Sequence, residues 1–395
     1  MIPGIFASNQ GIVGDRVGDF ASAILQINPT GSALMLAMTS GMGKTGAKDT
    51  IFHWYEDVHQ AGRANIASGT TTTTITVDDG SRYIPNQIAL VEETGEYVLI
   101  TGVAGNALTV VRGLGGTTVV SVTNVMHLQL IGNAHEEASD IPTAITQQGS
   151  ARLNLTQIFR NSWAVSGTAK AVEFRTGGKV AKNRRDCALY HAEDMERSLI
   201  WGVKANMNVN GKPFRTTDGI TTQIKQYGGV VEAANTGSVA GNYSQISFND
   251  FIRRVFSKNI KGQPNERIAI GGDIVLAVLN DMTRLDGAYQ VHAGETVLGI
   301  MVTKIQTPFG TLKLMTHPLM NENPTWQHEL YVLHPGGIRR RMLRDTFEEN
   351  YDKNGNRIDG IDADQGVMTT EFGVEVGAAS TMGILTNVQK AVKST

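Results

Sequence analysis

A short segment near the N-terminus has part of the spacing of a phosphate-binding loop. Residues 41–45 (Gly-Met-Gly-Lys-Thr) match its closing half, in which backbone amides, a lysine and a hydroxyl group surround the phosphates. Met38 stands where the opening glycine is needed for the backbone to wrap around them. Residues 50–55 then favour a β-strand where the motif requires a helix. The pattern predicts a glycine turn, and a P-loop nucleotide-binding protein is the alternative that an ATP-binding titration tests.

A second run of polar residues has the beginning of a calcium-binding loop. Asp352, Asn354 and Asn356 occupy the first, third and fifth positions of an EF-hand loop, where oxygen atoms bind Ca²⁺. Arg357 stands where glycine is required, and Ala363 stands where the bidentate glutamate belongs. Because the Asn-Gly pair in this run favours a type I′ turn, the segment predicts a β-hairpin.

The other titratable residues form no recognisable catalytic pattern. His191 and Glu193 are two positions apart in a predicted helix, so their side chains point in different directions, and no cysteine pair completes a zinc site. Cys187 is the single cysteine, which excludes an intramolecular disulfide and fits a reducing compartment. We therefore predict that the protein is not an enzyme and has no catalytic, cofactor-binding or metal-binding residue. The isolated histidines are interpreted as structural or surface residues: His53, His59, His127, His317, His328 and His334.

Length and charge limit the classes of protein that remain. A chain of 395 residues is long enough for two or three compact units. A formal net charge of −2 gives no overall basic field, so any contact with DNA must be local. The first twenty residues lack the features of a signal peptide, and no apolar run is long enough to span a bilayer. The sequence predicts a soluble protein that is not secreted.

Residues 179–206 predict the longest helix. The segment has no proline and no glycine before Gly202, and Glu193 and Arg197 form an i,i+4 pair. The asparagines and glycine at 206–211 indicate a stop. Apolar residues recur at intervals of three, four and seven, the spacing of one helical face: Ala181, Ala188, Ala192, Met195, Leu199 and Val203.

The beginning of this helix carries an unusual cluster of positive charge. The macrodipole already makes a helix N-terminus positive, so basic residues there are unfavourable. We hypothesise that acidic groups of a neighbouring chain, or phosphates, neutralise them, and solvation by water and salt is the alternative. The basic residues are Lys179, Lys182, Arg184 and Arg185.

Residues 68–134 differ in composition from the rest of the chain. A threonine run and short alternating apolar segments are separated by glycine-containing turns, which predicts a small antiparallel barrel or sandwich. Extended segments at 50–67 and 151–172 flank it. The module is interpreted either as a surface that contacts neighbours or auxiliary proteins, or as a simple insertion in a long hairpin.

The C-terminal half alternates between helical and strand patterns, which predicts an α+β class. Ser247 with Asp250 resembles a capping box at the start of a second helix. Residues 1–35 show no sustained periodicity of apolar residues, which predicts an arm that becomes ordered only in contact with another surface. The other predicted elements are a third helix at 273–282, strands at 268–270, 297–304, 310–316 and 329–333, a polar strand from Arg339 and a closing β segment at 373–385.

Six motifs distributed over nearly the whole chain resemble those of a known family. They are residues 52–57 (FHWYED), Val111-Arg112-Gly113 with Gly116-Thr117, residues 154–171 (NLTQIFRNSWAVSGTAKA), residues 307–310 (TPFG), residues 317–320 (HPLM) and residues 366–383 (GVMTTEFGVEVGAASTMG). In order and content they are similar to the major capsid protein of tailed double-stranded DNA bacteriophages, of the Hong Kong 97 type, in the branch with an inserted β module.

This resemblance implies a division of the chain into named parts. The implied fold has an N-arm, an extended loop, a small inserted all-β domain, a peripheral domain with a long spine helix at 179–206, and an axial domain. The implied boundaries are 1–49 for the N-arm, 50–67 and 135–178 for the extended loop, 68–134 for the insert, 179–220 with 321–395 for the peripheral domain, and 221–320 for the axial domain.

The resemblance also implies a function. The expected protein assembles into pentamers and hexamers of an icosahedral head shell that encloses phage DNA, held without sequence specificity on the inner face. Expected partners are other copies, a separate scaffolding protein, a portal and a decoration or cement protein, with no membrane and no cofactor. Assembly is expected in the host bacterial cytoplasm, and the mature location is the virion. An encapsulin-like nanocompartment shell is the closest alternative.

Overall fold

The computed structural model describes residues 44–57, 62–69, 73–142, 144, 146, 149–172, 178–234, 243–286, 291–297, 300–350 and 362–389. The chain divides into two compact units. The first comprises Met1–Trp54 with Leu153–Thr395, and the second comprises Tyr55–Arg152. Helices and strands both contribute to the first unit, which confirms the predicted α+β class.

The strands of the described residues are numbered along the chain. They are β1 Lys44–Gly46, β2 Ile51–Glu56, β3 Arg63–Gly69, β4 Thr74–Val77, β5 Gln87–Val91, β6 Glu96–Ala104, β7 Ala107–Val111, β8 His127–Asn133, β9 Ser150–Leu155, β10 Gln157–Ser166, β11 Ala205–Val209, β12 Lys212–Thr216, β13 Val230–Ala233, β14 Glu266–Gly271, β15 Val291–Val297, β16 Ile300–Thr307, β17 Gly310–Thr316, β18 Leu330–Leu333, β19 Ile338–Asn350, β20 Ala363–Val376 and β21 Gly383–Thr386. The α-helices span Gly167–Ala171, Lys179–Trp201, Ile220–Gln226, Gln245–Phe256 and Asp273–Asp286.

The largest sheet separates two hydrophobic cores of the first unit. Its strand order is β13-β21-β18-β14-β17-β16-β15. Because successive side chains of a strand point to opposite faces, Ile268 and Ile270 of β14 enter one core while Ala269 between them enters the other. The helix Gln245–Phe256 closes the second core with Phe248, Phe251, Ile252, Val255 and Phe256, which are all buried.

A four-stranded sheet with the order β1-β19-β20-β10 packs beneath the long helix. Phe372, Val374 and Val376 of β20 lie in the first core together with Met195 and Leu199 of the helix. Each fully buried side chain of this size stabilises the fold by about 1.5–3 kcal/mol. The edge strand β1 pairs in parallel with β19, so the last residues of the segment 1–49 belong to a sheet of their own chain.

The long helix ends earlier than its sequence pattern predicts. It spans Lys179–Trp201, and the chain continues extended from Gly202, so the predicted end at residue 206 is wrong. A side chain at Gly202 would meet the carbonyl oxygens of Ser198 and Thr217 at 2.4 and 2.6 Å. This close approach requires glycine and directs the chain away from the helix axis.

The face that the helix presents to the core agrees with the predicted stripe at Met195 and Leu199 but not at its alanines. Cys187, His191, Met195 and Leu199 are buried at four-residue intervals, whereas Ala181 and Ala188 are exposed and Val203 lies beyond the helix. Alanine has little apolar area to remove from water, so the row of larger side chains determines which face is buried.

The second unit contains a closed barrel with the strand order β3-β4-β7-β6-β5-β8. Alternate residues point inward and form its core, as the period-two pattern of the sequence predicts. The inserted all-β domain is therefore a barrel, and its first strand begins at Arg63, five residues before the predicted start at residue 68. The core residues include Ile75, Val77, Ala89, Val91, Val98, Ile100, Leu108, Val110 and Leu128.

Several smaller predictions also need correction. Ser244, and not Ser247, caps the second helix, since its hydroxyl accepts a hydrogen bond from the Ser247 N–H at 3.2 Å. The helix predicted at 273–282 extends to Asp286, and the strand predicted at 297–304 is divided between β15 and β16. The predicted hairpin at 352–356 lies outside the described residues. Segment 151–172, predicted to be extended, ends in the short helix Gly167–Ala171.

Candidate assembly surfaces

The buried side-chain amide of Asn154 holds together the backbone segments next to the hairpin β11–β12, which carries one of the exposed surfaces. Asn154 Nδ2 lies 3.1 Å from Thr217 Oγ1, 3.0 Å from the Asp218 carbonyl oxygen and 2.7 Å from the Val374 carbonyl oxygen. Its Oδ1 accepts from the backbone N–H groups of Leu155 and Asp218. One fully buried side chain therefore joins β9, β20 and the loop that follows β12. The motif at 154–171 identifies this residue, but its partners are far away in sequence.

The hairpin β11–β12 is an element that the sequence analysis missed. Its two-residue turn consists of Asn210 and Gly211, with φ of 51° and 73°. Positive φ at both positions is the requirement of a type I′ turn, which asparagine and glycine satisfy at low cost. The Asn-Gly pair between two alternating segments is the signal that predicts this hairpin, and its interpretation as a helix stop is wrong.

The same hairpin exposes an apolar face. Met207 pairs directly with Phe214, and Val209 pairs with Lys212, so these four side chains share one face. Met207, Val209 and Phe214 are 49%, 44% and 46% exposed. A two-stranded hairpin is marginally stable by itself in water, so covering this face with another surface would stabilise it.

An acidic segment of the second unit is also exposed. Residues 134–142 follow the last barrel strand, and all of them are exposed. The segment contains Glu136, Glu137 and Asp140 and neither lysine nor arginine. Ile141 lies beside these carboxylates and is 96% exposed. The segment therefore combines negative charge with one uncovered apolar side chain.

A buried ion pair fixes a loop on the barrel. Arg112 Nε lies 2.7 Å from Glu96 Oε1, and Arg112 Nη2 lies 2.6 Å from Glu96 Oε2. The Arg112 side chain is 6% exposed and the Glu96 side chain is 0% exposed. Glu96 also accepts from the N–H groups of Gly113 and Val120 at 3.1 and 3.3 Å. Burial alone would raise the pKa of Glu96, but the hydrogen bonds from Arg112, Val120 and Gly113 outweigh it and leave that pKa below 4.5. This pair gives a physical role to the motif at 111–113.

The loop that this pair fixes is apolar on its outer side. Val122 enters the barrel core, whereas Val119, Val120 and Val125 are exposed. No charged residue occurs between Gly113 and Val125. Depletion of charge is characteristic of the central part of protein interfaces, so this loop is a second candidate contact surface.

The basic end of the long helix has partners within its own chain. Arg184 forms an ion pair with Glu348 of β19, and Lys182 lies 4.0 Å from Asp186 in the next turn. The hypothesis that a neighbouring chain neutralises all four basic residues is therefore wrong for Arg184, because β19 is long enough to reach the first turns of the helix. Exposed pairs of this kind contribute about 0–1 kcal/mol, so a neighbouring chain remains our prediction for Lys182 and Arg185.

The histidine of the motif at 317–320 is not isolated. His317 Nε2 lies 2.7 Å from Glu196 Oε1, with both side chains completely buried. The Leu319 N–H donates to His317 Nδ1 at 3.2 Å, so the proton of the neutral ring belongs on Nε2 and is donated to the carboxylate. The pair joins the long helix to the segment after β17. His191 is also buried, between Asn161 and Thr370, and burial lowers its pKa.

One group on the barrel has the donor atoms of a metal site. The ligand atoms of Glu92, Glu93 and His127 lie within 4.8 Å of one another. Glu92 already binds Arg63 at 2.8 Å, and Glu93 binds the His127 ring at 2.6 Å. The hydrogen bond from the His127 side chain is the main cause that lowers the pKa of Glu93 to about 2. Arg63 and the His127 ring therefore already occupy the carboxylate oxygens that would bind an ion.

The remaining sequence candidates do not form a nucleotide site in the described residues. Lys44 and Thr45 lie in strand β1, where a P-loop would begin a helix, and residues 41–43 lie outside the described part of the chain. Within the described ranges, no helix combines the length and apolar character needed to cross a membrane.

Comparison with known proteins agrees with these features. The profile of the SU10 major capsid protein family matches residues 6–389. A major capsid protein of Pseudomonas phage PaMx41 is 28% identical over 392 residues, covering 94% of this chain and 92% of that protein. The capsid structure of Myoviridae phage XM1 covers 98% of this chain and 99% of its own, with a TM-score of 0.51 and 10% identity. The capsid structure of a native GTA particle covers 96% of this chain and 99% of its own, with a TM-score of 0.50 and 9% identity.

The long helix on a sheet of extended strands and the seven-stranded sheet, together with these structural similarities, show the Hong Kong 97 fold. The chain belongs to the SU10 major capsid protein family. It is a structural component of the phage virion that forms the icosahedral shell from copies of itself, and it is not an enzyme. The family resemblance inferred from the six motifs is confirmed.

Proposed function

We propose that this protein forms the pentamers and hexamers of a phage head and that contacts between extended elements of neighbouring copies hold them together. The observation that supports this proposal most directly is the apolar face of the hairpin β11–β12, where Met207, Val209 and Phe214 are each almost half exposed. Such a face destabilises a lone subunit and stabilises an assembly that covers it. Repetition of one heterologous contact around symmetry axes closes a ring.

The proposed parts of the subunit follow the family pattern. Residues 1–49 are the N-arm, residues 50–67 and 135–178 are the extended loop, and residues 68–134 are the insert, whose barrel also includes the strand β3 from Arg63. Residues 179–220 with 321–395 form the peripheral domain, and residues 221–320 form the axial domain. The alternating exposed and buried residues of β2, with Tyr55 exposed and Trp54 buried, support an extended loop that has one face available for another copy.

The proposed partners beyond other copies are those of a phage head. They are a scaffolding protein, a portal, a decoration or cement protein, and packaged double-stranded DNA on the inner face. Because the net charge is −2, contact with DNA is local and independent of sequence. Assembly takes place in the cytoplasm of the bacterial host.

Deletion of residues 1–30 tests the proposed role of the arm. We expect the truncated chain to fold, because the deleted residues precede every described element, and to sediment as single subunits where the full chain forms capsomers or shells. Sedimentation velocity and circular dichroism measure the two properties separately. Normal shells from the truncated chain would contradict the role of the arm, and failure of the full chain to associate at any concentration would contradict the proposed function.

A further inference from the structure

We infer that the apolar face of the hairpin β11–β12 binds the acidic segment 134–142 of a second copy of this chain. The inference rests on the proposed function, which supplies other copies as partners, and it names the two surfaces that meet. We choose the acidic segment as the binding partner because its charge is opposite to that of the hairpin and because it also has an exposed apolar side chain.

The charges of the two surfaces are opposite. Residues 204–216 contain Lys204, Lys212 and Arg215 and no acidic residue, whereas residues 134–142 contain three acidic residues and no lysine or arginine. Lys204 is partly neutralised by Asp218 at 3.8 Å. Lys212 shares the apolar face with Met207 and Phe214, whereas Arg215 pairs with Asn206 and points to the other face. In the described part of the chain, Lys212 has no carboxylate partner. Complementary charges of this kind orient two surfaces and exclude wrong partners.

The apolar groups of the two surfaces also correspond. Ile141 is 96% exposed, although burying a side chain of this size stabilises a structure by about 1.5–3 kcal/mol. The directly paired Met207 and Phe214 form a wide apolar surface on one hairpin face, and Lys212 lies at its end toward the turn. We place Ile141 against Met207 and Phe214, with Asp140 beside it facing Lys212.

The hairpin is positioned firmly enough to serve as such a surface. The loop after β12 is held by the buried amide of Asn154 through Thr217 and Asp218, and the Thr216 hydroxyl donates to the Val203 carbonyl oxygen at 2.6 Å. Both ends of the hairpin are therefore attached to the buried part of the first unit. Binding the segment would order the segment alone, which limits the entropic cost.

A charge exchange tests the pairing. Lys212→Glu should reduce the yield of shells about tenfold or more, because a carboxylate then faces Asp140. Asp140→Lys should have the same effect. Both substitutions in one chain restore opposite charges and should restore assembly. Lys261→Glu, on an exposed turn elsewhere, is the control for a general charge effect.

Disulfide trapping tests the contact without disturbing its charge. A chain with Ile141→Cys and Met207→Cys should form reducible links between copies in assembled particles. Ile141→Cys with Asn208→Cys is the matched control, because Asn208 is the next residue and points to the opposite face of the hairpin. The native Cys187 is buried.

The outcomes separate this inference from the proposed function. Restoration by the double exchange, together with links at position 207 and few at position 208, supports the pairing. Wild-type shells with no restoration and equal links at both positions would overturn the pairing and leave the proposed function intact. If the wild-type chain forms no assembly, the proposed function itself fails.

Discussion

Removing Arg112 should destabilise the barrel far more than removing an exposed arginine with the same pairing geometry. In Arg112→Ala, the completely buried Glu96 carboxylate loses its hydrogen bonds from arginine. It keeps those from the backbone N–H groups of Gly113 and Val120. Breaking a buried pair by removing one partner costs about 3–5 kcal/mol. Arg63→Ala breaks a bidentate pair with Glu92 whose side chains are 46% and 31% exposed, so solvent already screens the two charges and the expected loss of stability is small.

Hydrogen exchange measured by mass spectrometry can detect this difference in the full chain. The four tryptophans, Trp54, Trp163, Trp201 and Trp326, all lie in the first unit, so their fluorescence reports on that unit and not on the barrel. We expect Arg112→Ala to accelerate exchange in β5–β7 by roughly 10²- to 10³-fold, at about 1.4 kcal/mol for each factor of ten. Tryptophan fluorescence during urea unfolding should change little.

A double variant provides the internal check. Arg112→Met with Glu96→Gln removes both buried charges, and it should cost less than Arg112→Ala because no uncompensated carboxylate remains. The pH dependence has a definite sign. Since folding lowers the pKa of Glu96, its stabilisation is present above the ordinary value of 4.5 and is lost as the pH falls through the folded value. Equal exchange in Arg112→Ala and Arg63→Ala would refute the reasoning.

Three further variants test the other structural roles. Asn154→Asp places a carboxylate oxygen against three acceptors in the core and should cost about 2–4 kcal/mol in urea unfolding followed by tryptophan fluorescence; a loss below that of Asn154→Ala would contradict the assigned donors. Glu196→Ala should cost about 1–3 kcal/mol because the buried His317 Nε2–H loses its acceptor, and unchanged unfolding would contradict that tautomer. Lys182→Gln with Arg185→Gln should leave unfolding within about 0.5 kcal/mol of the wild type while making assembly less sensitive to salt; an unchanged salt slope would indicate solvated charges.

The elements that repeat one pattern over several residues were predictable from sequence. The barrel follows from apolar residues at alternate positions between Ile75 and Val110, because inward-facing residues of a small barrel must be apolar. The start of the long helix was also correct. Its end was not, because Gly202 is required by contact with Thr217, and a backbone contact between distant segments leaves no periodic trace.

The polar residues that organise the surfaces were predictable only as motifs. Asn154 meets Val374 across 220 positions of sequence, and His317 meets Glu196 across 121. No local pattern distinguishes such a buried polar residue from an exposed one. The hairpin β11–β12 is a different case, since the Asn210-Gly211 pair was a sufficient signal and the competing interpretation as a helix stop was preferred to it.

Electron microscopy of the purified full-length protein tests the central claim most directly. The protein should form closed icosahedral shells or ring-shaped pentamers and hexamers, since an exposed apolar hairpin face and an exposed acidic segment favour association over a free subunit. Both purified protein and protein produced together with its scaffolding partner should be imaged. A stable monomer at high concentration under both conditions would contradict the account.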